Sequence, residues 1–443
     1  ITATFTSEGT FTVDTSYDGS NFIDYPLTSG VTQELPYLPY IASFYSGASP
    51  VTLESIVITY TCTPHAESLD KYIVQFFNED GYTLLEKDRD VEPGSMPSYD
   101  GPIPTKAYDP EAGTFFSFAG WDIPLSPVMS NQTYYATYTP YMATYALING
   151  GTAYELRSVS DNTLTSVSIP STYNGLPVTS IASYVFSGFT HLASVDLPST
   201  LTTLGDAAFA GCTALTTIHF PASLTYLGFS PFSSCTHLTS ITVDSANTNF
   251  SSIDGVLFDK AGTTLVMYPK GRSGAYSIPS GVTTVGDFAF LSSAKLTSVT
   301  IPASVTTIGT NAFVSCSSLN NVVIPDTVTS LGGATFVNCT SLTSVTLPSG
   351  LTVLPYSMFQ DCVSLATVTL PSGITDIEMD AFYDCVSLTS VNIPSGVTQI
   401  GPRAFMYCMS LNNVTLPQGL LSIGGNAFTS CTSLTSISIP SSV

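Results

Sequence analysis

The sequence predicts a mainly β chain, a solenoid of about eleven 23-residue turns preceded by small β domains. Leucines recur every 23 residues at Leu192, Leu215 and Leu238, and again at Leu296, Leu319, Leu342, Leu365, Leu388, Leu411 and Leu434. Phenylalanines keep the same period at Phe209 and Phe232 and then from Phe290 through Phe428, and prolines keep it from Pro279 to Pro440. Of 443 residues, 44% are hydrophobic and 9% charged, too apolar a balance for a disordered tail.

Taken in order, residues 1–65 alternate Thr, Phe, Val and Tyr and finish in a strand-like run from Leu53 to Cys62, as the closing strands of a β-sandwich would. Because the chain opens at Ile1 without Met and stops mid-pattern at Val443, it reads as a piece of a longer polypeptide. Residues 66–141 hold Asp80-Gly81 between apolar alternations, a hairpin signal, then a Pro-rich segment, Gly120-Trp121-Asp122 and Thr133 to Tyr138. This arrangement resembles the small β-grasp-like repeat of internalin-B and other bacterial surface proteins.

From residue 142 the repeat takes over. One unit runs Leu296-Thr-Ser-Val299-Thr-Ile301-Pro302, then Val305, Ile308-Gly309, Ala312-Phe313 and Cys316. Leu-x-x-Val-x-Ile makes a short strand with one apolar side, and the proline that follows cannot donate to a ladder and so ends it. A single turn buries almost nothing, whereas stacked turns share one continuous core of like side chains. The unit Ile-Pro-x-x-Val-Thr-x-Ile-Gly-x-x-Ala-Phe-x-x-Cys is similar to the BspA-like leucine-rich repeat of bacterial and protozoan surface proteins, over roughly residues 142–443. The resemblance implies a leucine-rich repeat solenoid. One stretch departs from the period: Leu238 to Leu296 is 58 residues and reads as a longer, irregular turn with an extra hairpin.

Eight of the nine cysteines obey the repeat (Cys212, Cys235, Cys316, Cys339, Cys362, Cys385, Cys408 and Cys431), which suits free buried thiols better than paired disulfides. Stacked thiols lie in a line, whereas zinc wants a tetrahedron, so no metal is expected.

Ten basic against 32 acidic residues give a net charge of −22, which repels phosphate backbones; no nucleic-acid partner is expected. No apolar run is long enough to span a membrane. His65, His191, His219 and His237 lie in no catalytic motif, and although Asp196 stands one period before His219, no Ser or Cys completes a triad. No catalytic residue and no cofactor are expected.

The outward strand positions, among them Ser344, Thr346, Thr367 and Thr369, form a hydroxyl face without aromatic anchors. The exposed positions of 351–407 differ most from the repeat consensus. Tyr356, Glu378, Met379, Asp380, Tyr383, Asp384, Arg403, Met406 and Tyr407 replace small residues there, in columns 23 residues apart, and form the candidate binding patch. Asp380 and Arg403 are expected to form an exposed ion pair, and the tyrosines to be exposed. Asp376, Glu378, Asp380 and Asp384 lack the ligand spacing of a known calcium loop.

By resemblance, the chain is expected to be an extracellular adhesion or recognition protein whose partner is an extracellular protein or glycan. Its alternatives are an accessory region of a larger secreted enzyme and a structural envelope protein. The expected domains are 1–65, 66–141 and 142–443.

Overall fold

A computed structural model describes residues 71–106, 109 and 114–443, and the backbone of six strands within residues 2–59. Cys62 and His65 lie outside the described residues. The chain divides into two compact units, residues 1–71 and 72–443. In the first, Thr2–Phe5 pairs antiparallel with Gln33–Glu34 and Ile56–Thr59, and Thr10–Ser16 pairs antiparallel with Ile23–Thr28 and Ile41–Ser46.

The second unit opens with a four-stranded sheet in the order Leu84–Val91, Tyr72–Phe77, Gln132–Tyr141, Phe115–Trp121. Its central pair is parallel and its outer pairs are antiparallel. The Asp80 carboxylate nucleates the first hairpin by accepting the backbone N–H groups of Tyr82 at 2.9 Å and Thr83 at 2.8 Å. Val74, Phe76, Val128 and Tyr134 are its buried core, with the Trp121 ring 4.7 Å from Phe76. The last strand of this sheet ties into the solenoid. Phe115 and Tyr141 stack at 5.7 Å within the core of the first turns, and the buried Ser117 hydroxyl meets that of Ser166 at 3.1 Å.

The rest is an all-β solenoid of about 12 turns of ~23 residues, with no helix among the described residues. Each turn contributes two short strands and a run of tight turns. Strands pair parallel with a register shift of one period: Thr217 faces Ser240, Asn321 faces Ser344, Asn392 faces Thr415. Like therefore stacks on like. Phe313, Phe336, Phe359 and Phe382 are fully buried, with ring centroids 5.4–6.0 Å apart in succession.

The eight repeat cysteines are free and buried. Each thiol also donates to the carbonyl of the phenylalanine 26 residues earlier, from Cys212 to Phe186 at 3.2 Å through Cys431 to Phe405 at 3.0 Å. The column is thus one of weak hydrogen-bond donors as well as small apolar groups. Burial pushes these thiols up, to about 11 at Cys235 and about 12 at Cys339.

The irregular stretch contains the expected hairpin, Phe250–Ile253 with Val256–Asp259 around Asp254-Gly255, extended antiparallel by Thr264–Met267 before the parallel ladder resumes at Thr284–Val285. The apolar core divides there into two clusters, Leu257 belonging to one and its neighbours Val256 and Phe258 to the other.

Candidate functional site

The patch is built on a departure from the repeat. In ordinary turns the residue after the second strand is glycine, because successive backbones nearly touch: a Cβ at Gly332 would sit 2.4 Å from the Thr310 nitrogen, and one at Gly401 would sit 2.5 Å from that of Met379. The glycine N–H also carries a ladder bond, as from Gly309 to the Val285 carbonyl at 2.8 Å and from Gly332 to that of Ile308 at 2.8 Å. In two consecutive turns that slot holds Pro355 and Glu378. Proline has no N–H to give, so the rung is missing. The sheet of second strands ends at Ser330–Leu331 and a new one begins at Val353–Leu354. The sheet of first strands breaks at the same level, between Ser344–Thr346 and Thr367–Thr369. The hydrogen bonds of the tight-turn side continue across the break, Ala334 to the Tyr356 carbonyl at 2.7 Å and Phe336 to that of Met358 at 3.0 Å.

Glu378 has a structural task here, accepting the Tyr356 backbone N–H at 2.8 Å. In regular turns the matching amide is taken by an aspartate of the preceding turn, as Thr310 by Asp287 at 2.7 Å. The Tyr356 ring lies over the bare face of Gly333, where a Cβ would come within 2.3 Å of it. Tyr356 and Met379 are exposed and Pro402 continues their column. Beside them runs a groove of about 520 Å³, lined by Tyr356, Asp376, Glu378, Met379, Gln399 and Pro402 among others.

One column further, the backbone is left-handed twice per turn. Asn311, Ala334, Ser357, Asp380, Arg403 and Asn426 form one such series, and Ser315, Asn338, Asp361, Asp384, Tyr407 and Ser430 the other. Short polar side chains tolerate this region; Arg403 at φ 56° and Tyr407 at φ 63° are bulky residues held where they are disfavoured. Arg403 grips Asp380 with two parallel bonds, Nε to Oδ1 at 2.8 Å and NH2 to Oδ2 at 2.6 Å. Those bonds, the nearest cause, raise the guanidinium above its ordinary range. Tyr383 and Tyr407 meet edge to face, with centroids 5.5 Å apart.

The structure thus places Tyr356, Glu378 and Met379 along the groove and Asp380, Arg403, Tyr383 and Tyr407 beside it, with Met406 and Asp384 half-buried in the same turns. Three expectations need correction. The ion pair is exposed on one side only: Arg403 is exposed, but Asp380 is 7% accessible beneath the Arg403 fork. Tyr383 and Tyr407 are half-buried, each covering the other. His219 does not pair with Asp196; its Nδ1 lies 3.0 Å from Thr242 Oγ1, one turn on, while Asp196 accepts Ser168 Oγ at 3.1 Å. The four neighbouring acids are not brought together, and among the described residues no three His, Cys, Asp or Glu converge on a metal position. Gln399 and the Pro355 break were not singled out from the sequence, whereas period counting does put Pro402 in the column of Tyr356 and Met379. The signal was there, as proline and glutamate in a glycine column.

Among known families, the BspA type leucine rich repeat region matches in six copies, over residues 158–272, 274–388 and 375–443. A leucine-rich repeat protein from Eubacterium ventriosum is similar in structure at 24% identity and a TM-score of 0.53, over 68% of this chain and 95% of that one. One from Bacteroides ovatus matches at 24% identity and a TM-score of 0.41, over 68% of this chain and 94% of that one. A leucine rich cell surface protein from Faecalibacterium prausnitzii matches at 23% and 0.33, over 67% and 94%. No curated protein matches.

Proposed function

Because the chain belongs to the BspA-type leucine-rich repeat family, we propose that it is a non-catalytic recognition protein at the cell surface or secreted, binding an extracellular protein or glycan through the 353–407 turns. The observation that carries this is local. Where the glycine column is interrupted, an aromatic, a methionine and a proline line a groove of about 520 Å³, beside a paired Asp380–Arg403 and an edge-to-face tyrosine pair. Tyr and Arg carry far more binding energy per residue than the Ser and Thr of the strand face. The groove floor is a parallel ladder in register, Val353 with Asp376 and Asp376 with Gln399. Among the described residues no helix is long and apolar enough to cross a membrane.

The test is a binding screen against arrayed glycans and matrix proteins, repeated with Tyr383→Ala combined with Tyr407→Ala, and with Tyr356→Ala. Each change is expected to weaken the strongest hit by ~10-fold or more. Binding that survives both, yet disappears when Thr346 and Thr369 become Glu, moves the site to the hydroxyl face and overturns the assignment.

A further inference from the structure

A second site lies where the repeat period fails. The irregular turn interrupts the phenylalanine stack after Phe232 and brings together two aromatic residues 59 positions apart, Phe229 and Phe288, edge to face at 4.8 Å. Phe229 is 58% exposed, the one phenylalanine among the described residues that is exposed. Phe288 stands in the left-handed column at φ 58°, where other turns have Asn311, Ala334 and Ser357, so a bulky side chain is held there against its backbone preference.

Beside this pair opens a cavity of about 280 Å³, walled by Phe229, Pro231, Met267, Tyr268 and Phe288 and reaching Lys270. Lys270 occupies the cysteine column, 23 residues before Ser293 and 46 before Cys316. It is 8% accessible, and its ammonium has one hydrogen bond, to the Leu291 carbonyl at 2.6 Å. An ammonium carries three N–H groups. No described carboxylate forms an ion pair with it: Asp287 lines the same cavity, but its carboxylate takes the Thr310 amide at 2.7 Å, and Arg272 holds Asp254. Ser293, one period on, is fully buried and its hydroxyl has no partner.

A buried cation with unfilled donors is costly unless an anion meets it. We propose that this cavity binds a small carboxylate carried on an aromatic or apolar body, the carboxylate on Lys270 and the body against the Phe229–Phe288 pair. At about 280 Å³ it admits one arylalkyl acid or one terminal aromatic residue, not a chain. The source can be a free aryl acid or the C-terminal residue of a peptide, which share that chemistry. Burial brings the amine down to about 8, so a bound carboxylate would also hold its proton; the other titratable groups around it are the thiols of Cys235 and Cys316 and, across the cavity, Asp287 and Tyr268.

The experiment titrates the full chain with 3-phenylpropionate, its neutral amide, and short peptides ending in phenylalanine with a free or an amidated C-terminus. The readouts are calorimetry and the rate at which an acylating reagent modifies Lys270. The acid is expected to bind ~10-fold or more tightly than its amide and to protect Lys270, with Lys270→Met abolishing both differences. Tighter binding of the free-ended peptide than of 3-phenylpropionate assigns the natural ligand to a protein terminus; the reverse assigns it to a free acid. Should Lys270→Met fail to fold, Phe229→Ser at the exposed rim is expected to weaken the acid several-fold. Equal binding of acid and amide, no saturable binding of either, or a stable Lys270→Met chain that still binds the acid would each overturn the proposal.

Discussion

The turns from 296 to 339 and those from 353 to 407 have the same inside and different outsides. In both, leucine, phenylalanine and cysteine columns are buried without gaps, the rings stack at 5–6 Å, and each thiol reaches the carbonyl of the preceding turn's phenylalanine. Outside, the first region keeps Gly309 and Gly332 with an unbroken ladder, while the second loses a rung at Pro355, accommodates Glu378 and exposes Tyr356 and Met379. The stacked core tolerates almost no variation because every side chain must fit two copies of itself. The outer columns carry no such constraint, so chemistry accumulates there without disturbing the solenoid.

The largest expected effect tests the shared inside. The thiols titrate at about 9 unfolded and higher when folded, so the folded state holds protons that the unfolded chain releases above pH 9. Stability is fully present below pH 9 and lost as pH rises from 9 toward 12, by up to about 1.4 kcal/mol per pH unit for each thiol. Denaturant melts across that window should show a steep alkaline loss that flattens as Cys316 and Cys385 are replaced by Ala. A loss confined to one region would show that the two columns are not equivalent.

Next in size, Phe313→Ala and Phe382→Ala should each cost about 3–5 kcal/mol and open mainly the adjacent turns to protease. A clearly smaller cost at Phe382 would mean that the interrupted ladder relaxes the core beneath it. Breaking the Asp380–Arg403 fork by Asp380→Asn should cost about 1–3 kcal/mol, more than an exposed pair would, because the carboxylate is buried. Amide exchange should report the smallest difference: protection of the Gly332 N–H, which keeps its rung to Ile308, should exceed that of any amide in Val353–Leu354, which begins a new sheet. Equal protection would remove the break as a feature of the site.

Much of this was legible in advance. A translational period fixes which residues stack, so the leucine and phenylalanine columns, the free cysteines and the patch columns could be read by counting. The added hairpin was legible from the failure of that count between Leu238 and Leu296. What counting cannot supply is any contact between unlike columns or across the interruption. The Tyr383–Tyr407 contact spans 24 residues, one more than the period, and Asp380 is buried beneath the Arg403 fork although others of its column are exposed. Phe229, Phe288 and Lys270 belong to different turns and meet only because the irregular turn is packed between them. The sequence by itself determined the solenoid, since like residues must stack on like for the core to close. Tertiary structure alone decided the groove and the lysine cavity, because both arise where that translation is broken and the freed space is shaped by neighbours the period does not relate.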